Sequence, residues 1–346
     1  MLTRWWGLLA AFLFLGGCRA PGNITADNYS KSDLPELNYR LIYIIHGDAS
    51  YLYHDREGQP VQSDEQQFQE AVKVARKARH GEVFVYHQKP ETKILWIFPR
   101  KDRLMVHFRN GRRIHREKYS PTSDGKAFSR EEQLFHRYRT QDSVRTFFLY
   151  YGHEIPQDST LSYFQSRPDA KLSTDNFVAG ESSFLADSST FELTVLSTCE
   201  NGSPSMVKKQ QPLTKYLLAS PQDLHLSQID SEKLLLLEEN PDITTKKLSK
   251  AIAMDSFNRL STFLQTAVTL SIYDMERVGN YIDSLSVKDS NAVKDTNGGI
   301  VEQGKTDCAN LPFWNAYQPS DGVITFFKPA KFGDQANKEE HSGWGC

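Results

Sequence analysis

Four apolar, strand-like runs in this chain end in residues that can move protons or attack a carbonyl. They are "LIYIIH" running into His46-Gly47-Asp48, "VRTFFLYY" into Gly152-His153-Glu154, "FELTVLST" into Cys199-Glu200-Asn201-Gly202, and "TKYLLA" into Ser220, with Asp223 and His225 close behind. A thiol and an imidazole at neighbouring strand ends are the minimum for nucleophilic acyl transfer: the thiolate attacks, the imidazole handles protons and backbone N–H groups hold the oxyanion. Cys199 and His153 are therefore the candidate pair, with Gly152, Glu154 and Gly202 near the reacting atoms. The alternative for Cys199 is an inert thiol packed as a small hydrophobe, although its strand-end place, with Asn201-Gly202 following, favours exposure. Gly202 either allows close approach by a substrate backbone or simply turns the chain. His46, Asp48 and Ser220 are candidates to line a substrate pocket; an aspartate capping a turn is the other reading of Asp48. Ser220 with His225 lacks a nucleophile elbow. No zinc-type spacing such as H-E-x-x-H occurs, so no metal site is expected.

Something must bring these strand ends together. "LIYIIH" is an unbroken apolar run, the pattern of a strand buried on both faces. After it, "SDEQQFQEAVKVARKAR" has helical spacing, with Ser63 as expected cap, Gln66 at the capping-box position and Gly81 as terminator before the strand "EVFVYHQ". Strand, helix, strand in about fifty residues predicts a βαβ unit and a parallel sheet. "RLMVHFRNGRRIHREKY" predicts an antiparallel hairpin turning at Asn110-Gly111, its basic run reading as a charge-protected edge. Further helices are expected from Ser129, from Thr244 past Leu264 and over "MERVGNYIDSLS"; the region 156 to 190 reads as loops with one short helix. In an open parallel sheet, ligands bind at the carboxyl ends of strands where strand order reverses, so the polar clusters should share one edge.

The order of strand, His153, about forty-five residues, strand and Cys199 resembles the caspase-like cysteine peptidases, and within them the clostripain family. "KYLLASPQDLHLSQID" and "AVTLSIYDMERVGNYIDSL" are similar to that family's segments after the cysteine, so the likeness covers roughly residues 38 to 287. It implies a caspase-like three-layer α/β sandwich with a mostly parallel sheet, an antiparallel hairpin excursion and a C-terminal extension. It also implies endopeptidase activity with Cys199 as nucleophile and His153 as base. No organic cofactor is implied, though calcium is used by some relatives, and the acidic loop of 169 to 192 is a candidate self-processing site. Two positions depart from the family's pattern. The order is Gly152-His153 where the family has His-Gly, and Ser197-Thr198 precede the cysteine where an acidic residue and Ala are common, which weakens the expectation of Arg specificity, Asp48 being the other carboxylate that could make an acidic pocket. His46-Gly47 has the family's letters but lies on the first strand, whereas His153 ends the strand immediately before that of Cys199.

The amino terminus, "MLTRWWGLLAAFLFLGGC", is too short to span a bilayer and has the order of a signal peptide. Leu15-Gly16-Gly17-Cys18 resembles a bacterial lipobox, so residues 1 to 17 are expected to be removed and Cys18 to carry the lipid. Residues 18 to 37 would be a flexible tether, 38 to 287 the α/β domain and 288 to 346 a polar linker and C-terminal segment. This predicts a bacterial lipoprotein outside the cytoplasm, with Arg19 favouring the outer membrane or cell surface. In an oxidising compartment Cys308 and Cys346 are candidates for a disulfide, two free surface thiols being the alternative. With 41 Lys plus Arg against 43 Asp plus Glu, no global field draws in nucleic acid. The expected partners are a protein or peptide substrate and, through Cys18, a lipid membrane. A caspase-like lipoprotein with a decayed site, acting by binding, is the reading from a different class.

Overall fold

In the computed structural model, chain contacts separate Met1–Leu34 from Pro35–Cys346, and the description covers residues 35–48, 51–90, 93–94, 98–99, 102–122, 125–140, 143–157, 172–185, 189–279, 322–333, 336, 341, 343 and 344. The expected signal peptide, Cys18, Cys308 and Cys346 lie outside the described residues; of the segment read as an acidic loop at 169 to 192, residues 172–185 and 189–192 are described, and they hold a helix at Thr174–Ser182 and the start of the strand Phe191–Ser197.

Successive side chains of β1 (Tyr39–His46) are buried against opposite cores, Leu41, Tyr43 and Ile45 on one face and Ile42 and Ile44 on the other. That is the two-faced strand expected from its apolar run. A small hairpin, β2 (Leu52–His54) and β3 (Pro60–Gln62), leads into α1 (Ser63–Lys77), followed by β4 (Gly81–Gln88), parallel to β1. The two-residue strands β5 (Lys93–Ile94) and β6 (Phe98–Pro99) pair with each other. β7 (Arg103–Arg109) and β8 (Arg112–Tyr119) form the expected hairpin, with Asn110 and Gly111 at φ 49° and 74°. This left-handed pair is the geometry that favours Asn-Gly in a two-residue turn.

After α2 (Ser129–Tyr138), the strand β9 (Arg145–Tyr151) returns to the other side of β1 and is parallel to it. α3 (Thr174–Ser182), β10 (Phe191–Ser197), α4 (Pro204–Gln210) and β11 (Thr214–Ala219) continue outward. A short turn of helix, α5 (Leu236–Glu239), precedes α6 (Thr245–Phe263). β12 (Val268–Asp274) and β13 (Val323–Lys328) then close that side antiparallel. The nine-stranded sheet runs β13-β12-β11-β10-β9-β1-β4-β7-β8. Its five central strands are parallel. Helices α1 and α6 contribute Ala71, Val74, Ala75, Leu248, Ile252 and Leu260 to one core. α2, α3 and α4 contribute Leu134, Phe135, Phe177, Met206 and Val207 to the other. The result is a three-layer α/β sandwich.

Several local expectations differ from what is observed. Ser63 and Ser129 are first helical residues rather than caps; Gln62 and Phe128 hold the cap positions, Phe128 at φ 58°. Ser63 is buried because its hydroxyl donates to the Leu226 carbonyl, and Gln66 accepts a hydrogen bond from the Tyr53 hydroxyl. A long-range partner has displaced the local capping bond in each case. Gly81 does not end α1, whose C-cap is Ala78. It opens β4, where a Cβ would meet the Tyr39 ring at 2.6 Å. Thr244 does cap α6, accepting from the Lys247 N–H at 3.4 Å.

Candidate active site

The chain builds β4 on one side of β1 and β9, β10 and β11 on the other, so strand order reverses between β1 and β9. A crevice opens at the carboxyl ends of strands at such a point. Asp48, two residues beyond β1, and His153, two beyond β9, meet there: His153 Nε2 lies 2.9 Å from Asp48 Oδ2, with the carboxylate wholly buried. Gly47 allows this approach. A Cβ there would collide with the Asp64 carboxylate, which is itself held by His87 Nε2 at 2.8 Å.

With Nε2–H donating to the carboxylate, Nδ1 is the basic nitrogen of His153. The Tyr51 ring packs over the imidazole, 4.3 Å between centroids. Burial pushes the His153 pKa below its ordinary value, against the upward pull of Asp48. The ring is thus neutral, and able to act as a base, at neutral pH.

Cys199 lies beyond the end of β10, the strand next to β9, and carries a reduced, half-buried thiol. Thiol and imidazole line one cleft of about 140 Å³, with Tyr51, Gly152, Ser197, Thr198, Leu224, His225, Leu226 and Gln228 completing its wall. Sγ accepts from the Leu224 N–H at 3.4 Å and donates toward the Leu224 carbonyl at 3.6 Å. Burial pushes the thiol up to about 11; the Leu224 N–H opposes this, while the charges of Asp223, Glu200 and Glu154 add to it. Glu154, half-buried beside His153, is itself raised to about 7 by burial and by Glu200 and Asp223.

No family model matches this sequence, and neither does any curated protein. Solved structures do match. An inactive zymogen C11 protease from Parabacteroides distasonis aligns over 90% of this chain and 91% of its own, with a TM-score of 0.57 at 12% identity. A secreted C11 cysteine protease from Bacteroides thetaiotaomicron, in complex with an irreversible peptide inhibitor, aligns over 75% and 70%, with a TM-score of 0.51 at 11% identity. The fold is that of the C11 cysteine proteases.

Within this C11 fold the other predicted residues fall in different places. Gly152 lines the cleft, its N–H directed at the Ser197 carbonyl at 3.5 Å. Gly202 is packed against protein rather than presented to a ligand: a Cβ would meet the Tyr273 hydroxyl at 2.5 Å and the Pro221 nitrogen at 2.7 Å. His46 is not part of the cleft wall. Its Nδ1 faces the Tyr150 hydroxyl at 3.4 Å, and its ring packs on Phe128 in the layer of α2 and α3. Ser220 is buried and holds its turn together, its hydroxyl lying 2.7 Å from Gln222 O and 2.9 Å from Thr269 O and accepting from the Gln222 N–H at 3.2 Å.

Asp48 was legible as a polar strand end but not as the partner of His153, because the two are 105 residues apart. Ser197 accepts from the Ile229 N–H at 2.8 Å and so fixes the loop bearing Leu224 and His225. His225 Nδ1 accepts from the Ser227 N–H at 3.1 Å, leaving its proton on Nε2, and its ring packs edge-on against Tyr53 and Phe263. Among the described residues no group of three or more His, Cys, Asp or Glu is arranged to hold a metal ion.

Proposed function

We propose that this protein is a membrane-anchored cysteine endopeptidase acting outside the cytoplasm, with Cys199 as nucleophile, His153 as general base and Asp48 orienting His153. The observation that carries this reading is the shared cleft of thiol and imidazole at adjacent parallel strand ends, with a buried carboxylate on Nε2 of the imidazole. The C11 fold supports it, as does the peptide inhibitor held by the secreted Bacteroides protein. The anchor rests on the lipobox-like Cys18; among the described residues no helix is long and apolar enough to cross a membrane.

In this reading His153 Nδ1 takes the thiol proton as Sγ attacks the scissile carbonyl carbon. The developing oxyanion is held by backbone N–H groups such as that of Cys199. The Glu200 N–H does not serve, since it donates to Gln222 O at 3.1 Å. Collapse breaks the C–N bond, and the imidazolium gives its proton to the departing amine. Water, deprotonated by His153, then attacks the thioester, releasing the carboxylate product and restoring the thiol. An amine acceptor in place of water would make the same site a transpeptidase.

The second reading, a binding protein with a decayed site, is favoured by one observation: burial and nearby carboxylates push the Cys199 thiol up to about 11. An activated cysteine has the opposite tendency. Incubating the chain with a diverse peptide mixture under reducing conditions, with and without calcium, separates the two. The peptidase reading expects cleavage that disappears in both Cys199→Ala and His153→Ala, with product masses distinguishing hydrolysis from transpeptidation. No cleavage by any form, together with a Cys199 that resists alkylation in the folded state, favours the binding protein.

A further inference from the structure

The turn that carries Cys199 is fastened on both sides. Toward β11, the Glu200 N–H donates to Gln222 O at 3.1 Å and the Gly202 N–H to Ser220 O at 2.8 Å, while the Gly202 carbonyl accepts from the Tyr273 hydroxyl at 3.0 Å. Toward β9, one side chain makes the connection. Asn201 is 1% exposed. Its Oδ1 accepts from the Ile155 N–H at 3.0 Å, and its Nδ2 donates to the Ile155 carbonyl at 3.1 Å. The same Oδ1 accepts from the Thr198 hydroxyl at 2.5 Å. Ile155 is fully buried two residues after His153, and Pro156 beyond it accepts from Thr174 N at 2.8 Å and Thr174 Oγ1 at 3.0 Å at the start of α3. The Asn201 amide thus reads both backbone groups of one residue in the histidine loop from a position two residues after the nucleophile. Glu200, between Cys199 and Asn201, takes a left-handed φ of 57°. A non-glycine residue in that region persists where surrounding contacts fix it, as happens at functional sites.

The geometry points to Asn201 as a positioning residue that sets the Cys199 turn against the His153 loop and so fixes the thiol within reach of the imidazole. This rests on reading those two residues as nucleophile and base. The amide is the side chain suited to the task, since it presents one acceptor and one donor to the N–H and C=O of the same peptide segment. A carboxylate would meet the Ile155 N–H but turn an oxygen toward the Ile155 carbonyl. A methyl group would make neither bond. A displacement of about 1 Å between reacting groups costs roughly 10²-fold in rate, so the effect should be visible without unfolding the domain.

The test uses the full chain and reads alkylation of Cys199 by iodoacetamide across pH 5 to 10, located by peptide mass mapping because three other cysteines are present. The wild type is expected to show a shoulder of reactivity near neutral pH that His153→Ala removes. Asn201→Ala should lose about 10- to 100-fold of that shoulder and follow the His153→Ala profile, with Asn201→Asp between. If Asn201→Ala does not fold, Asn201→Asp decides, because it retains both accepting contacts. Folded Asn201 variants with the wild-type profile would overturn the clamp and leave the His153–Cys199 pair intact. A wild type without any His153-dependent shoulder would overturn the pair and the clamp together.

Discussion

At one end of the sheet Asp48 meets His153; at the other, Glu82 meets His107, and the chemical groups are the same. Glu82, near the start of β4, is fully buried. It accepts from Arg40 Nε at 2.7 Å, His107 Nε2 at 3.1 Å, the Thr140 N–H at 3.0 Å and the Thr140 hydroxyl at 3.2 Å. Burial alone would raise its carboxyl, but the His107 bond and the Arg40 charge outweigh this and hold it at about 2. His107 is stacked on Phe84, 3.9 Å between centroids, and 1% exposed. The His153 side chain is 21% exposed and faces a cleft shared with a thiol. A histidine–carboxylate pair is therefore not a catalytic signature by itself. Access at the strand-order reversal, with a nucleophile on the next strand, separates the proposed site from a structural lock.

The comparison predicts that charge removal does different things at the two ends. At the cleft, Asp48→Asn should lower peptide cleavage by roughly 10²–10⁴-fold, the scale seen when the aspartate of a serine-protease triad is neutralised, with little change in melting temperature. Equal cleavage by the variant would mean that His153 needs no carboxylate partner. At the lock, Glu82→Gln leaves Arg40 buried without its counter-charge and should destabilise by about 3–5 kcal/mol in denaturant titration. Cys199 alkylation per folded molecule should stay unchanged. A large loss of Cys199 reactivity in folded Glu82→Gln would dissolve the distinction.

Acid should sharpen the contrast further. The Glu82 carboxyl is depressed from 4.5 to about 2 on folding, so its stabilisation is complete above pH 4.5 and is lost as pH falls toward 2. The order of magnitude is about 3 kcal/mol. In Glu82→Gln that share of the acid-induced loss of stability should be missing. His153, lowered by burial, gives cleavage an acid limb below pH 6.5 instead, where protonation removes the base. The smallest effect is expected from Asp223→Asn. Removing one of the charges that raise the Cys199 thiol should speed its alkylation near pH 8 by only about 2- to 5-fold. A slower reaction would show that Asp223 acts on the thiol through structure rather than charge.

Local pattern carried much of this protein into view. The apolar run of β1 reads as doubly buried because each side chain's face follows from the two-residue period of a strand. Asn110-Gly111 reads as a turn because Asn and Gly enter left-handed backbone at lower cost than other residues. The polar ends of β1, β9, β10 and β11 were legible too, and with them Cys199 and His153 as a candidate pair. The β13 strand was not, because its pairing with β12 spans a stretch of chain with no local signal.

What the sequence by itself determined, then, is where strands and helices form and which of them end in reactive groups, since propensity and periodicity act over a few residues. Which of those groups meet was decided by tertiary structure. His46 and Asp48 belong to one strand end, yet only Asp48 reaches His153, because the strand order reverses between β1 and β9 and Gly47 lets the chain past Asp64. Ser63 exchanged a helix cap for the Leu226 carbonyl, and Asn201 reaches out of its turn to hold Ile155, 46 residues away. In each case a buried polar group must find a hydrogen-bond partner, and a partner tens of residues away in the chain exists only once the sheet has formed.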